Sequence, residues 1–255
     1  MDMNMAKISL KLIKNHGYKT VIYLDEKNYD KFNDLDYDEK ILIDQNKLEN
    51  LPTSIWCLGK LLVFSEINEP FLHIDFDLFV KENNLEYFLK EKFVCFHEER
   101  WVDINNVLKR LDYDNLISRF TNSPHFLNKN EIKSYNCAVI GGTAIKEIQE
   151  SAKIVLDYAR KNKDFLNEKM NKLLMVGNDW MLPIFMEQML FINICKNKLN
   201  SITCILDENK NQDNQLLLNL TGAEGLDFIY EEMVRKKIVH LWGSKQKLMS
   251  NIKLV

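Results

Sequence analysis

The chain has 255 residues, 46% of them hydrophobic and 28% charged, the balance of an ordinary soluble globular protein. Its 34 basic and 37 acidic side chains leave a net charge of -3, which excludes a general nucleic-acid binder. No run approaches the ~20 apolar residues of a membrane span, and the N-terminus lacks the apolar stretch of a signal peptide. The expected location is therefore cytoplasmic, with peripheral membrane association left open. The 5 cysteines show neither zinc-knuckle nor CxxC spacing and are expected as buried, reduced thiols.

In chain order, Met5, Ile8 and Leu12 predict a helix that Gly17 stops. Val21 to Leu24 predicts a strand, Asp25 to Glu39 a loop, and KILID a second strand. SIWCLGKLLVFSEI predicts a helix with Ser54 as its cap and Trp56, Leu58, Leu61, Leu62 and Ile67 on its apolar face. FLHID and FVCF predict strands, with a short helix between them ending near Leu89, and VDINNVLKRL predicts another helix. Residues 112–134 are polar and predict an irregular excursion.

NCAVIGG reads as a strand running into two glycines. The long helical stretch after it is expected to break near Lys163. MLPIFMEQMLFINIC predicts a helix with Pro183 in its first turn and Asp179 as a candidate cap. SITCIL predicts a strand, LDFIYEEMVRKK a helix and IVHLWG a final strand. The alternation predicts a single α/β domain over 1–255.

The sharpest local feature is His-Ile-Asp-Phe-Asp at 73–77. Strand alternation would put Asp75 and Asp77 on one face. Two carboxylates in an apolar run need compensation, and a divalent cation would supply it. A solvated strand end, helix caps and a hydrolase acid/base pair are the competing readings of the same residues. Gly141 and Gly142 would let backbone approach a ligand closely, or simply turn the strand into the next helix.

Beyond these local readings, the string from Ser54 to Val80 resembles bacterial GT-A glycosyltransferases, the group related to capsular polysaccharide and lipopolysaccharide sugar transferases. The resemblance lies in Trp56, Gly59, Lys60, Glu69, Pro70, Phe71, His73, Asp75 and Asp77, and continues in Asn136–Gly142, where Ala138 replaces a frequent glycine. It also includes Glu187 and Gln188, and the C-terminal IVHLWGSKQK. It implies a GT-A-like domain with a central mixed sheet. Few residues precede the first helix, so the usual first strand is expected to be absent or the base held differently.

The resemblance further implies transfer of a sugar from a nucleotide-sugar donor to a saccharide or glycan acceptor. Mn²⁺ or Mg²⁺ would be held by Asp75, Asp77 and His240. Asp75 would also face the donor, Lys60 would shape the pocket, Gly141 and Gly142 would lie beside the donor sugar, and Lys245 or Lys247 would meet the diphosphate. The two aspartates are expected beside that glycine pair. Glu187 and Gln188 are the catalytic candidates for a retaining reaction, and Glu98 the candidate base for an inverting one. A non-catalytic GT-A-like binding domain and a metal-dependent hydrolase are the alternatives.

Overall fold

Gly17 closes the first helix with φ 80°, a left-handed conformation that a side chain would resist, and a strand begins soon after it. The computed structural model describes residues 3–49, 51–80, 85–99, 103–120, 131–205, 215–220 and 238–243. The strands are β1 (Val21–Leu24), β2 (Glu39–Leu42), β3 (Phe71–Ile74), β4 (Leu78–Val80), β5 (Val94–Glu98), β6 (Tyr135–Gly142), β7 (Thr203–Cys204), β8 (Gln215–Leu220) and β9 (Ile238–Gly243). The helices are α1 (Met3–Asn15), α2 (Glu26–Tyr29), α3 (Gln45–Glu49), α4 (Cys57–Phe64), α5 (Leu85–Phe88) and α6 (Ile104–Arg110), followed by α7 (Tyr113–Ser118), α8 (Ile145–Lys161), α9 (Lys163–Met175), α10 (Met181–Ile184) and α11 (Ile192–Leu199). A π-helical turn, Phe185–Phe191, joins α10 to α11. The fold is α/β with mixed sheets.

The chain groups into two compact units, Met1–Leu42 with His73–Tyr87 and Leu206–Val255, and Ile43–Leu72 with Phe88–Ile205. In the first, β1 and β2 pair in parallel, and β4, β9 and β8 form a second sheet. Its core gathers Ala6 and Leu10 of α1, Ile22 and Leu24 of β1, and Phe32 and Leu35. The buried apolar residues of α1 include Ala6, Leu10 and Ile13 together with Ile8, which was expected inside, while Leu12, expected on the same stripe, stays partly exposed. The segment expected as a loop after Leu24 holds α2 and a 3₁₀ turn at Asp30–Phe32. Asp25 caps α2, its Oδ1 accepting from Asn28 N at 2.9 Å.

In the second unit the sheet order is β3-β6-β5-β7, with β5 antiparallel to β6 and parallel to β7. β6 is buried along its whole length, as the apolar run in its sequence requires. α4 and α8 pack together with the π turn, which also lies on β6. The α8 stripe is Ile148, Ala152, Val155, Leu156 and Ala159. Asn162 separates α8 from α9, with its Nδ2 donating to Tyr158 O at 3.0 Å, which is the break expected near Lys163.

Three local expectations are corrected. Trp56 is 60% exposed and is itself the N-terminal boundary of α4, so neither Ser54 caps that helix nor Trp56 joins its buried face. Asp179 does not cap the helix after it, whose N-terminal boundary is Trp180. The expected irregular stretch contains α7, seated by Tyr158 Oη donating to Leu116 O at 2.9 Å and by Phe120 stacked on Tyr158 at 3.9 Å. The helix expected at LDFIYEEMVRKK lies outside the described residues. Among the described residues, no helix is long and apolar enough to cross a membrane.

Candidate functional site

In the first unit, β3 ends at Ile74 and the chain turns at once. Leu78 N donates to Asp75 O at 3.0 Å, closing a four-residue turn, Asp75-Phe76-Asp77-Leu78, that leads into β4. This corrects the alternation argument. The strand does not continue through the pair, so Asp75 and Asp77 are the first and third residues of a turn, both partly exposed. The ring of Phe76 explains the apolar residue between them, since it packs 5.8 Å from Phe32. His73 Nε2 lies 2.8 Å from Asp75 Oδ1, which orients that carboxylate.

The second strand that matters here is β9. It runs antiparallel to β4 with His240 opposite Leu78, Val239 opposite Phe79 and Ile238 opposite Val80. The backbone of His240 is thus paired with the residue that directly follows Asp77. α1 fixes β4 from another direction, through Ser9 Oγ donating to Leu78 O at 2.8 Å and His16 Nε2 at 3.2 Å from Val80 O. Among the described residues, no three His, Cys, Asp or Glu side chains gather as a metal-holding group. The His240 side chain, Lys245 and Lys247 lie outside what is described.

The second unit holds a different concentration of chemistry, a buried polar cluster. Glu187 sits on the π turn at 1% exposure, and its Oε1 lies 2.8 Å from Lys60 Nζ on α4. Burial first, and the Glu187 carboxylate second, push the neighbouring Cys57 thiol up. Gln188 is also buried. Two successive polar residues both lie inside because the helix is buried on every side from Met181 to Cys195, and π turns are frequent at functional sites. The expectation of an informative Glu-Gln pair on an apolar helix therefore finds both side chains inside.

Ser134 Oγ lies 3.3 Å from Gln188 Oε1 and 3.3 Å from Glu99 Oε2, one hydroxyl proton between two acceptors. Asn136 Nδ2 donates to Glu99 Oε1 at 3.0 Å, and Ala138 N donates to Asn136 Oδ1 at 2.9 Å. Glu99 and Ser134 carry no site signal in the sequence, and Asn136 only its place in the Asn136–Gly142 likeness. Glu98 instead turns outward, to an ion pair with Lys133 at 2.9 Å. The pairing of β5 with β6 shifts register between Cys95 and His97, so simple alternation does not identify the inward carboxylate.

Gly141 and Gly142 have φ 153° and 133°. A Cβ at Gly141 would stand 2.1 Å from Phe71 O, and one at Gly142 would stand 2.4 Å from Lys92 O. The close approach these glycines permit is that of neighbouring backbone.

A family model described as a family of unknown function, DUF6734, matches residues 3–255. The chain belongs to this family. No curated protein matches this DUF6734 member.

Proposed function

We propose that this DUF6734 member is a metal-dependent glycosyltransferase of GT-A type, transferring a sugar from a nucleotide donor to a saccharide or glycan acceptor. The observation that carries the reading is the pairing of β9 with β4, which sets the His240 backbone opposite Leu78, next to Asp77. These residues are far apart in sequence. The resemblance links them as one ligand set, and their segments are neighbours in the fold.

The donor types fit the proposed ion. Two carboxylates and an imidazole suit Mn²⁺ or Mg²⁺. Asp75 and Asp77 are partly exposed on a turn, and His73 orients Asp75. When bound, the ion would offset charge on the departing diphosphate. Glu187 and Gln188 are the proposed catalytic pair, with Lys60 Nζ fixing the Glu187 carboxylate at 2.8 Å. Gln188 is steadied through Ser134. Lys245 or Lys247 remains the proposed diphosphate contact.

The test is a product assay with a panel of nucleotide sugars, manganese and saccharide acceptors, read by mass spectrometry. The expected result is a glycosylated acceptor whose formation needs manganese and is lost in Asp77→Ala. Sugar released only to water would make the protein a hydrolase. Donor binding with no turnover on any acceptor would make it a binding domain.

A further inference from the structure

Cys95 and Cys204 oppose each other across β5 and β7. The strands are parallel, the two cysteines are register partners, and their sulfurs are 3.5 Å apart. Thr203 N donates to Phe93 O and Ile205 N to Cys95 O, each at 3.0 Å, which holds that register. Adjacent strands lie ~4.8 Å apart, within the ~4.4–6.8 Å Cα separation that a disulfide spans. Bond formation therefore asks the two sulfurs to close by about 1.5 Å.

The two thiols differ in access. Cys95 is fully buried, and Cys204 is only partly so, on the last strand of the sheet order. Cys57, Cys137 and Cys195 are all buried, and the first two donate to the carbonyls of Pro183 and Tyr135. A small reagent entering from solvent meets Cys204 before any of them.

We propose that Cys95 and Cys204 form a thiol–disulfide modification site whose oxidant is a small soluble disulfide of the glutathione class. The Cys204 thiolate attacks one sulfur of oxidised glutathione, breaking its S–S bond and releasing one glutathione thiolate. Cys95 then loses its proton and attacks the Cys204 sulfur, displacing the second glutathione. Two protein thiols are oxidised to one disulfide, and one glutathione disulfide is reduced to two thiols, which take up the two protons. Burial and the adjoining Cys204 sulfur push the Cys95 thiol up. Closure is then the slow step and quickens as pH rises. The crosslink fastens the sheet's edge to β5, the strand that leads into Glu99. This inference is independent of glycosyl transfer.

The test incubates the folded full chain with oxidised glutathione, alkylates remaining thiols under denaturant and maps the peptides. The expected result is loss of two alkylatable thiols out of the 5 present, a linked Cys95–Cys204 peptide and a raised thermal midpoint that a reductant reverses. Cys95→Ala should hold a glutathione adduct on Cys204. If that variant does not fold, Cys204→Ser serves instead and should show no adduct and no link. Full alkylation of wild-type protein after long incubation, a persistent adduct without closure, or a link from Cys95 to Cys137 would each overturn the proposal.

Discussion

Lys60 Nζ and Glu187 Oε1, 2.8 Å apart, join α4 to the π turn through a pair of charges that are 13% and 1% exposed. Removing one partner strands the other in a poor solvent. Lys60→Met or Glu187→Leu alone should therefore cost about 3–5 kcal/mol. The joint change Lys60→Met with Glu187→Leu should recover most of that loss, because no buried charge remains. Urea unfolding of the two single variants and the double variant measures the coupling. Strict additivity of the single losses would contradict it.

Glu98 and Glu99 are neighbours with opposite surroundings. Glu98→Gln loosens a partly solvated pair with Lys133 and should change stability by less than about 1 kcal/mol. Glu99→Ala leaves the donors of Ser134 and Asn136 without that acceptor inside the protein, and should cost about 1–3 kcal/mol for each donor left unsatisfied. Equal shifts in denaturation midpoint for both variants would mean that the cluster is not held as described.

Gly141→Ala tests the backbone crowding. The new methyl would overlap the Phe71 carbonyl in an already restrictive conformation. The expected loss is more than about 2 kcal/mol. Thermal unfolding is sufficient, and an unchanged midpoint would show that β3 and β6 can part at little cost.

Asp77→Ala separates ligand chemistry from folding. Asp77 is partly exposed in the turn, so apo stability should move by about 0.5 kcal/mol or less. Manganese-dependent affinity for a nucleotide sugar should fall by more than ~10-fold. Calorimetric titration with and without manganese, beside unfolding of the apo protein, reads both. Intact donor affinity together with a large loss of stability would end the metal reading.

Acid should loosen the first unit through Asp38. The Thr20 hydroxyl and amide and the Lys14 ammonium hold its carboxyl at about 2, below the ordinary 3.8. A lowered folded value means stability that is fully present above the ordinary value and is lost as pH falls toward about 2. Unfolding measured from about pH 5 to about pH 2 should show this decline, and Asp38→Asn should flatten it. An identical acid profile in that variant would remove Asp38 from the account.

Elements with strong periodicity or β-branched clustering were legible from sequence: β1 matches its expected limits, and α1, α8, α9 and β6 lie where spacing put them. The misses have physical causes. Asp75 and Asp77 look like strand residues because Phe76 is needed by the Phe32 core, yet the chain turns there. β8 was not anticipated from QLLLNL, whose leucines carry no clear alternation. A register shift between Cys95 and His97 hides from sequence that Glu99, and not Glu98, is the buried carboxylate. Asn136 enters only as the first residue of the Asn136–Gly142 likeness and Ser134 gives no signal, since a polar residue at the start of a strand looks the same whether it meets solvent or a buried carboxylate.

The π turn at Phe185–Phe191 changes how the helix around it is indexed. One extra residue in a turn sets everything after it back by about 100° around the axis relative to an unbroken α-helix. With that offset, Asn193 Nδ2 reaches Lys133 O at 2.8 Å and Lys196 Nζ reaches Tyr135 Oη at 3.1 Å. A DUF6734 sequence one residue shorter here would lose the π turn and keep the same α11 side chains at those two partners. Aligning the family by helical phase therefore assigns any single-residue gap to the interior of 185–191, and leaves α11 ungapped against β6.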